Sequence, residues 1–172
     1  MDYVVEAKSR KNLRDLAYTL RKHLGLENVL YFPIVEVLDV LPEFFDNFSY
    51  EIVEDHELPS GTHADTDITT GHIRIKESVY NRACDGEGRD RMTIAHEIGH
   101  YFTLCFCGFK LQRNYDPDIK VPPYKSPEWQ AKCFAGELMV PAHLVTNMSP
   151  STIAIECGVS LDAARFQFSH IN

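Results

Sequence analysis

His96-Glu97-Ile98-Gly99-His100 places two imidazoles and a carboxylate within five residues. On a helix of about 3.6 residues per turn, positions 96 and 100 stand one turn apart on one face. Two imidazoles so placed can share a Zn²⁺, each at about 2.0–2.1 Å. Glu97 lies about 100° round the same helix, close to the metal without being forced onto it. It can take a proton from a metal-bound water whose pKa falls from about 15.7 to about 7. This is the working half of a zinc peptidase site. The plain alternative is a helix with two surface histidines and a glutamate. The flanks oppose it: Arg91-Met92-Thr93-Ile94-Ala95 runs in and Tyr101-Phe102-Thr103-Leu104 runs out, so the helix is mostly apolar. Its imidazoles and carboxylate would be half buried and need partners.

A catalytic zinc takes three protein ligands and keeps one position open. Glu128 is the expected third. Ser126 caps a helix whose first residue is Pro127, and Glu128 stands in its first turn. Ala131, Ala135 and Met139 share its face, and the alanines allow a close helix–helix approach. Glu137 is nine residues on, about 900° round, on the opposite face. The competing reading of Glu128 is an acid favoured at a helix N-terminus; His143 is the runner-up ligand. His63 and His72 read as ordinary strand histidines. Cys105-Phe106-Cys107 is a weak metal pattern and reads rather as two buried thiols. For an oxyanion donor, Tyr101, Tyr115, Tyr124 and His143 are candidates and none stands out.

The elements that must position these residues follow from periodicity. Residues 6–24 form an amphipathic helix with Leu13, Leu16, Ala17, Leu20 and Leu24 on one stripe, stopped at Gly25. Its basic residues Arg10, Lys11, Arg14 and Arg21 read as a solvated face. Pro33 opens a second helix with Ile34, Val37, Leu38 and Leu41 inward, broken or kinked at Pro42, and Phe44, Phe45 and Phe48 fill the core. Residues 49–54, 63–67 and 72–75, separated by Leu58-Pro59-Ser60-Gly61 and Thr70-Gly71, read as a small antiparallel sheet. The last strand is expected at an edge, where an extended substrate could pair. A short helix over 77–83 precedes the metal-binding helix, for which Asp90 is a plausible cap. Residues 105–127 are broken by Asp116-Pro117, Pro122-Pro123 and Ser126-Pro127.

The chain has 172 residues, enough for one domain with a real core. Its net charge of −8 disfavours non-specific binding to nucleic acid or anionic lipid, which depends on Lys and Arg meeting phosphates. Five cysteines without a C-x-x-C pair indicate neither a disulfide framework nor a zinc knuckle and suit a reducing compartment. No stretch has the length of a membrane span and the N-terminus carries no cleavage-site pattern. A soluble cytoplasmic protein is expected.

Two stretches together resemble a known family. Arg91 to His100 resembles the start of the active-site helix in the ImmA/IrrE group of zinc metallopeptidases. Phe134-Ala135-Gly136-Glu137-Leu138-Met139-Val140-Pro141 resembles that family's second signature, and Gly71-His72-Ile73-Arg74-Ile75 is similar to the strand before its active-site helix. The resemblance covers roughly residues 60–145. It implies a compact α+β, zincin-like domain; the order of elements puts that domain over residues 1–145, N-terminal helices included, with a short helical tail at 146–172 expected to pack on it. His96, His100 and Glu128 would hold Zn²⁺, with Glu97 as general base. It also implies an intracellular endopeptidase that cleaves or regulates a helix-turn-helix repressor or antitoxin, often in mobile elements or toxin–antitoxin-like pairs. One departure is Lys132, where the family often has Asn or Asp. It cannot accept a hydrogen bond from a ligand histidine, so that role should fall to another group, such as a backbone carbonyl.

Two other function classes compete. The domain could hold zinc yet act as a toxin or regulatory partner without proteolysis. Alternatively, residues 153–165 have the helix–Gly–helix rhythm of a DNA-binding helix-turn-helix. The second helix of that pair carries only Arg165 as a basic residue, so packing on the domain or a partner is the expected role.

Overall fold

The structure, a computed structural model, describes residues 3–106, 112–113 and 120–171. After the two-residue strand β1 (Tyr3–Val4), Ser9 starts the first helix. Its hydroxyl accepts from the Asn12 amide at 3.1 Å while Asn12 Oδ1 accepts from the Ser9 amide at 2.9 Å. This reciprocal cap sets the start of α1 (Arg10–His23) later than the apolar stripe alone predicts. Leu13, Ala17 and Leu20 are buried as expected. Gly25 follows at φ +70°, the left-handed conformation that ends helices and suits glycine. The basic face is not simply solvated. Arg21 is buried, donating to the carbonyls of Leu138, Leu26 and Val29 with its guanidinium over the Phe32 ring.

Helix α2 (Ile34–Phe44) buries Ile34, Val37, Leu38 and Leu41. Pro42 does not break it. Two residues before the helix end, the missing amide costs one bond, and the next turn still closes through Phe45 N to Leu41 O at 3.0 Å. Of the three phenylalanines read as core, Phe48 is buried, Phe45 packs at the margin and Phe44 stays exposed with its edge on His23.

The sheet holds β2 (Ser49–Val53), β3 (Ala64–Asp67) and β4 (His72–Lys76) in the order β2-β4-β3. Strands β3 and β4 are an antiparallel hairpin, but β2 runs parallel to β4, from Ser49↔His72 to Val53↔Lys76. The sheet is therefore mixed, not wholly antiparallel. Alternation along a strand reports its buried face, not the direction of its neighbour. The long link from β2 to β3 carries the chain to the far edge, and the hairpin brings β4 back into the middle. Ile73 and Ile75 are consequently fully buried. Strand β4 is thus not an edge; β3 is.

Helix α3 (Glu77–Cys84) leads to α4 (Gly88–His100), which carries the H-E-x-x-H residues. Glu87, not Asp90, is the N-cap residue of α4. Asp90 lies inside the first turn, where both of its oxygens accept from the Arg82 guanidinium at 2.9 Å. That ion pair, not a cap, is its role. The chain continues through a π-helical segment, Tyr101–Phe106, and β5 (Gln112–Arg113) pairs antiparallel with β1. Cys107, Tyr115 and Asp116-Pro117 lie outside the described residues.

Ser126 accepts from the Trp129 amide and starts α5 (Pro127–Met139), as expected. α5 is buried along most of its length between α4 and α1. Glu137 points away from the H-E-x-x-H residues, as its spacing requires. It is buried and accepts from Arg10 at 2.9 Å and Arg14 at 2.7 Å. After α6 (Ala142–Val145), the tail forms α7 (Pro150–Cys157) and α8 (Leu161–Phe168) about Gly158 at φ +64°. Ile153, Cys157, Val159 and Ala164 join the common core. Arg91 ties the tail down, donating to Gly158 O at 3.0 Å and to Phe32 O at 2.7 Å. The fold is α+β, as the pattern of elements implies. No helix among the described residues is long and apolar enough to cross a membrane.

Candidate metal centre

Gly99 is what lets α4 and α5 meet. A Cβ built there would lie 2.7 Å from Ala131 O and 3.1 Å from Ala131 Cα. With small residues at both contact points, the helices approach backbone to backbone. Glu128, one turn before Ala131, is thereby laid across His96 and His100. Glu128 Oε2 stands 3.2 Å from His96 Nε2, and Oε1 stands 3.1 Å from His100 Nε2. The two Nε2 atoms are 3.1 Å apart. The structure therefore brings together the three residues the sequence nominates, with ligating atoms all within 4.8 Å of one another. The hydrogen bonds from His100, then from His96, hold the Glu128 carboxyl well below the usual carboxylate range.

The donor set fits a resident zinc. Two neutral imidazole nitrogens turned toward each other cannot both use their lone pairs on a proton they share. A cation between them and the carboxylate satisfies all three. Two nitrogens and a carboxylate oxygen are zinc-type donors, and three is the count of a catalytic site.

Glu97 is nearly buried. Its Oε2 accepts from Thr66 Oγ1 at 2.7 Å, and the same hydroxyl lies 3.3 Å from Glu97 O. The sheet edge thus orients the carboxylate. Sequence reasoning missed Thr66. The only signal was its place on a strand near the motif, and strand placement does not reveal contact with a helix. The other ring nitrogen of His100, Nδ1, is buried and has no hydrogen-bond partner among the described residues. Among the described residues no backbone carbonyl takes that place for His100, and Lys132 lines the cleft.

The remaining candidates fall elsewhere. His143 is not brought in; its Nε2 lies 2.7 Å from Glu27 O, and its ring meets Tyr18 edge-on. His72 is held by Ser49 Oγ at 2.7 Å and Glu51 at 3.2 Å. His63 lines the cleft beside His96 but is outside the ligand group. Tyr101 is buried and donates to Asn47, and Tyr124 lies on an exposed turn. The Cys105 thiol meets Ile68 O, and burial pushes its pKa up to about 11, which does not suit a metal thiolate.

A cleft runs past the three ligands in two lobes. One, of about 430 Å³, lies toward the start of α4 and is lined by His63, Arg89, Met92 and Lys132. The other, of about 420 Å³, lies toward its end and is lined by Tyr3, Thr66, Ile68, Leu104 and Pro127. His96, Glu97 and Glu128 border both. Strand β3 forms one wall of each.

No family model matches the chain, and no curated protein matches it. Among solved structures, a Mycobacterium tuberculosis transcriptional regulator is similar, with a TM-score of 0.57 at 13% identity over 92% of this chain. The match takes in 46% of that regulator, so this chain spans less than half its length. At that identity the likeness is one of fold.

Proposed function

We propose that this chain is a zinc-dependent endopeptidase of the ImmA/IrrE type, acting in the cytoplasm on a helix-turn-helix repressor or antitoxin. The observation that carries the reading is the convergence of His96, His100 and Glu128 with a nearly buried, oriented Glu97 beside them. The choice of partner rests on the family resemblance, and the cytoplasmic setting on the cysteine usage.

Zinc at this site, when bound, supplies Lewis-acid polarisation of a water and of the scissile carbonyl. The protein does the rest. His96, His100 and Glu128 would hold the ion from two helices whose spacing Gly99 and Ala131 set. Glu97 takes the proton from the attacking water and passes it to the leaving amine. Thr66 holds the Glu97 carboxylate in line for both transfers. The edge strand β3, beside the cleft, offers unpaired backbone groups to an extended substrate. This replaces the strand at 72–75, which lies in the sheet interior.

The test is Glu97→Gln. It should retain zinc and lose cleavage of the partner; cleavage that survives would remove Glu97 as the base. One observation favours a second reading, a zinc-binding toxin or regulator that does not cut. Among the described residues His100 Nδ1 has none of the hydrogen bonds that orient and tune ligand histidines, a loss that typically costs 10–100-fold in affinity or activity. Equal biological activity of wild type and Glu97→Gln would favour that reading.

A further inference from the structure

We infer that the lobe of the cleft toward the start of α4 recognises an acidic side chain of the bound polypeptide. This rests on the cleft being the substrate site proposed above, and it names the substrate class.

The chain carries a net charge of −8, so unpaired cations facing a cleft stand out. Arg89 and Lys132 both line the first lobe, with His63 a third potential cation. Arg89 is distinctive among its own kind. Among the described residues, each other arginine whose side chain is described has a partner. Arg10 and Arg14 bond Glu137, Arg74 bonds Asp65, Arg82 bonds Asp90, Arg165 meets Asp162, and Arg21 and Arg91 donate to backbone carbonyls. Neither Arg89 nor Lys132 has a side-chain hydrogen bond or ion pair among those residues. Lys132 is also one turn from Glu128, at the rim of the metal ligands.

The acidic groups nearby do not neutralise them. Glu128 is committed to His96 and His100, and Glu97 to Thr66. Glu87 and Asp90 line a neighbouring groove with Arg89, but Asp90 is tied to Arg82 and, among the described residues, neither makes an ion pair with Arg89. Cations left unpaired on the exposed walls of a concave site favour an anionic occupant, and charge complementarity of this kind selects partners. The second lobe contrasts. No Lys or Arg among the described residues lines it, and its one carboxylate besides Glu97 and Glu128 is Asp65, tied to Arg74 at 3.0 Å. The two lobes flank His96 and Glu128, so the recognised sequence has a carboxylate on the side of the reacting bond that lies toward the start of α4.

The experiment is fluorescence anisotropy with zinc-loaded Glu97→Gln protein, so that binding is read without cleavage. The probes are peptides identical except for one position that is Glu, Gln or Lys. The Glu peptide should bind roughly three- to tenfold tighter than the Lys peptide, with the gap narrowing as salt rises. Adding Arg89→Glu and Lys132→Glu, both at exposed positions, should reverse the order. Equal binding of the three peptides, no binding of any, or an acidic preference that survives the double charge reversal would overturn the inference. Wild-type cleavage of the same peptides reports separately on the peptidase reading. Charge-selective binding without cleavage would sink the peptidase and leave the acidic subsite standing.

Discussion

Gly99→Ala is the substitution in which fold and site are most tightly linked. In an isolated helix the change should help, since alanine is favoured over glycine by about 0.8–1.0 kcal/mol. Here the new Cβ would sit 2.7 Å from Ala131 O, whereas ordinary contact begins near 3.4 Å. The atoms it meets are backbone, so no rotamer change relieves the clash and α5 must move away by about 0.7 Å (3.4 less 2.7). Overpacking of this kind costs about 1–3 kcal/mol, which outweighs the propensity gain at the centre of its range. We expect a net loss of about 1 kcal/mol and a melting temperature lower by a few degrees in the metal-free protein. The larger effect should be on zinc. Glu128 rides on α5 and the histidines on α4, and metal–ligand distances tolerate only about 0.2 Å of error. Affinity should fall at least tenfold, measured by competition with a chromophoric chelator. Gly136→Ala is the control, because its Cβ would meet only the flexible end of Gln167, and zinc affinity should be unchanged. A Gly99→Ala protein that is more stable and binds zinc like wild type would refute the reasoning.

Other consequences are equally direct. Glu137→Gln leaves the Arg10 and Arg14 charges without their buried counter-ion; because both arginines reach solvent, we expect about 2–3 kcal/mol lost in urea unfolding, below the range for a fully buried pair. Thr66→Val should leave zinc binding intact while lowering kcat about three- to tenfold, and Thr66→Ser should restore it, since only the hydroxyl orients Glu97. In the folded protein a thiol reagent should label exposed Cys84 at once but reach buried Cys133 and Cys157 only on unfolding. Burial pushes both buried thiols from 9.0 up to about 11. Between those values the unfolded chain has lost protons that the folded chain keeps. Stability should therefore be unaffected below about pH 9 and decline as pH rises toward 11, as denaturation at stepped pH would reveal.

What could be read from the sequence was what depends on local spacing. The convergence of His96, His100 and Glu128 and the outward turn of Glu137 follow from helical geometry, which repeats faithfully over thirteen residues of α5. Ser126 and Gly25 mark their helix ends because caps are local chemistry too. What failed was non-local. Strand patterning could not say that β2 would lie parallel to β4 or that β4 would be central. Arg21 looked like part of a polar face because its carbonyl partners at Leu138 and Val29 belong to other elements. Thr66 and Glu97 are 31 residues apart, and nothing in either neighbourhood announces the bond. Asp90 looked like a cap because an acid near a helix start usually is one; Arg82, on the preceding helix, claims it instead.

The central claim is a zinc ion held by His96, His100 and Glu128, and X-ray absorption at the zinc edge tests it most directly. One equivalent of zinc with only nitrogen and oxygen neighbours at about 2.0–2.2 Å, lost in His100→Ala, is the result expected. A sulfur neighbour near 2.3 Å, or zinc retained in full by His100→Ala, would contradict it.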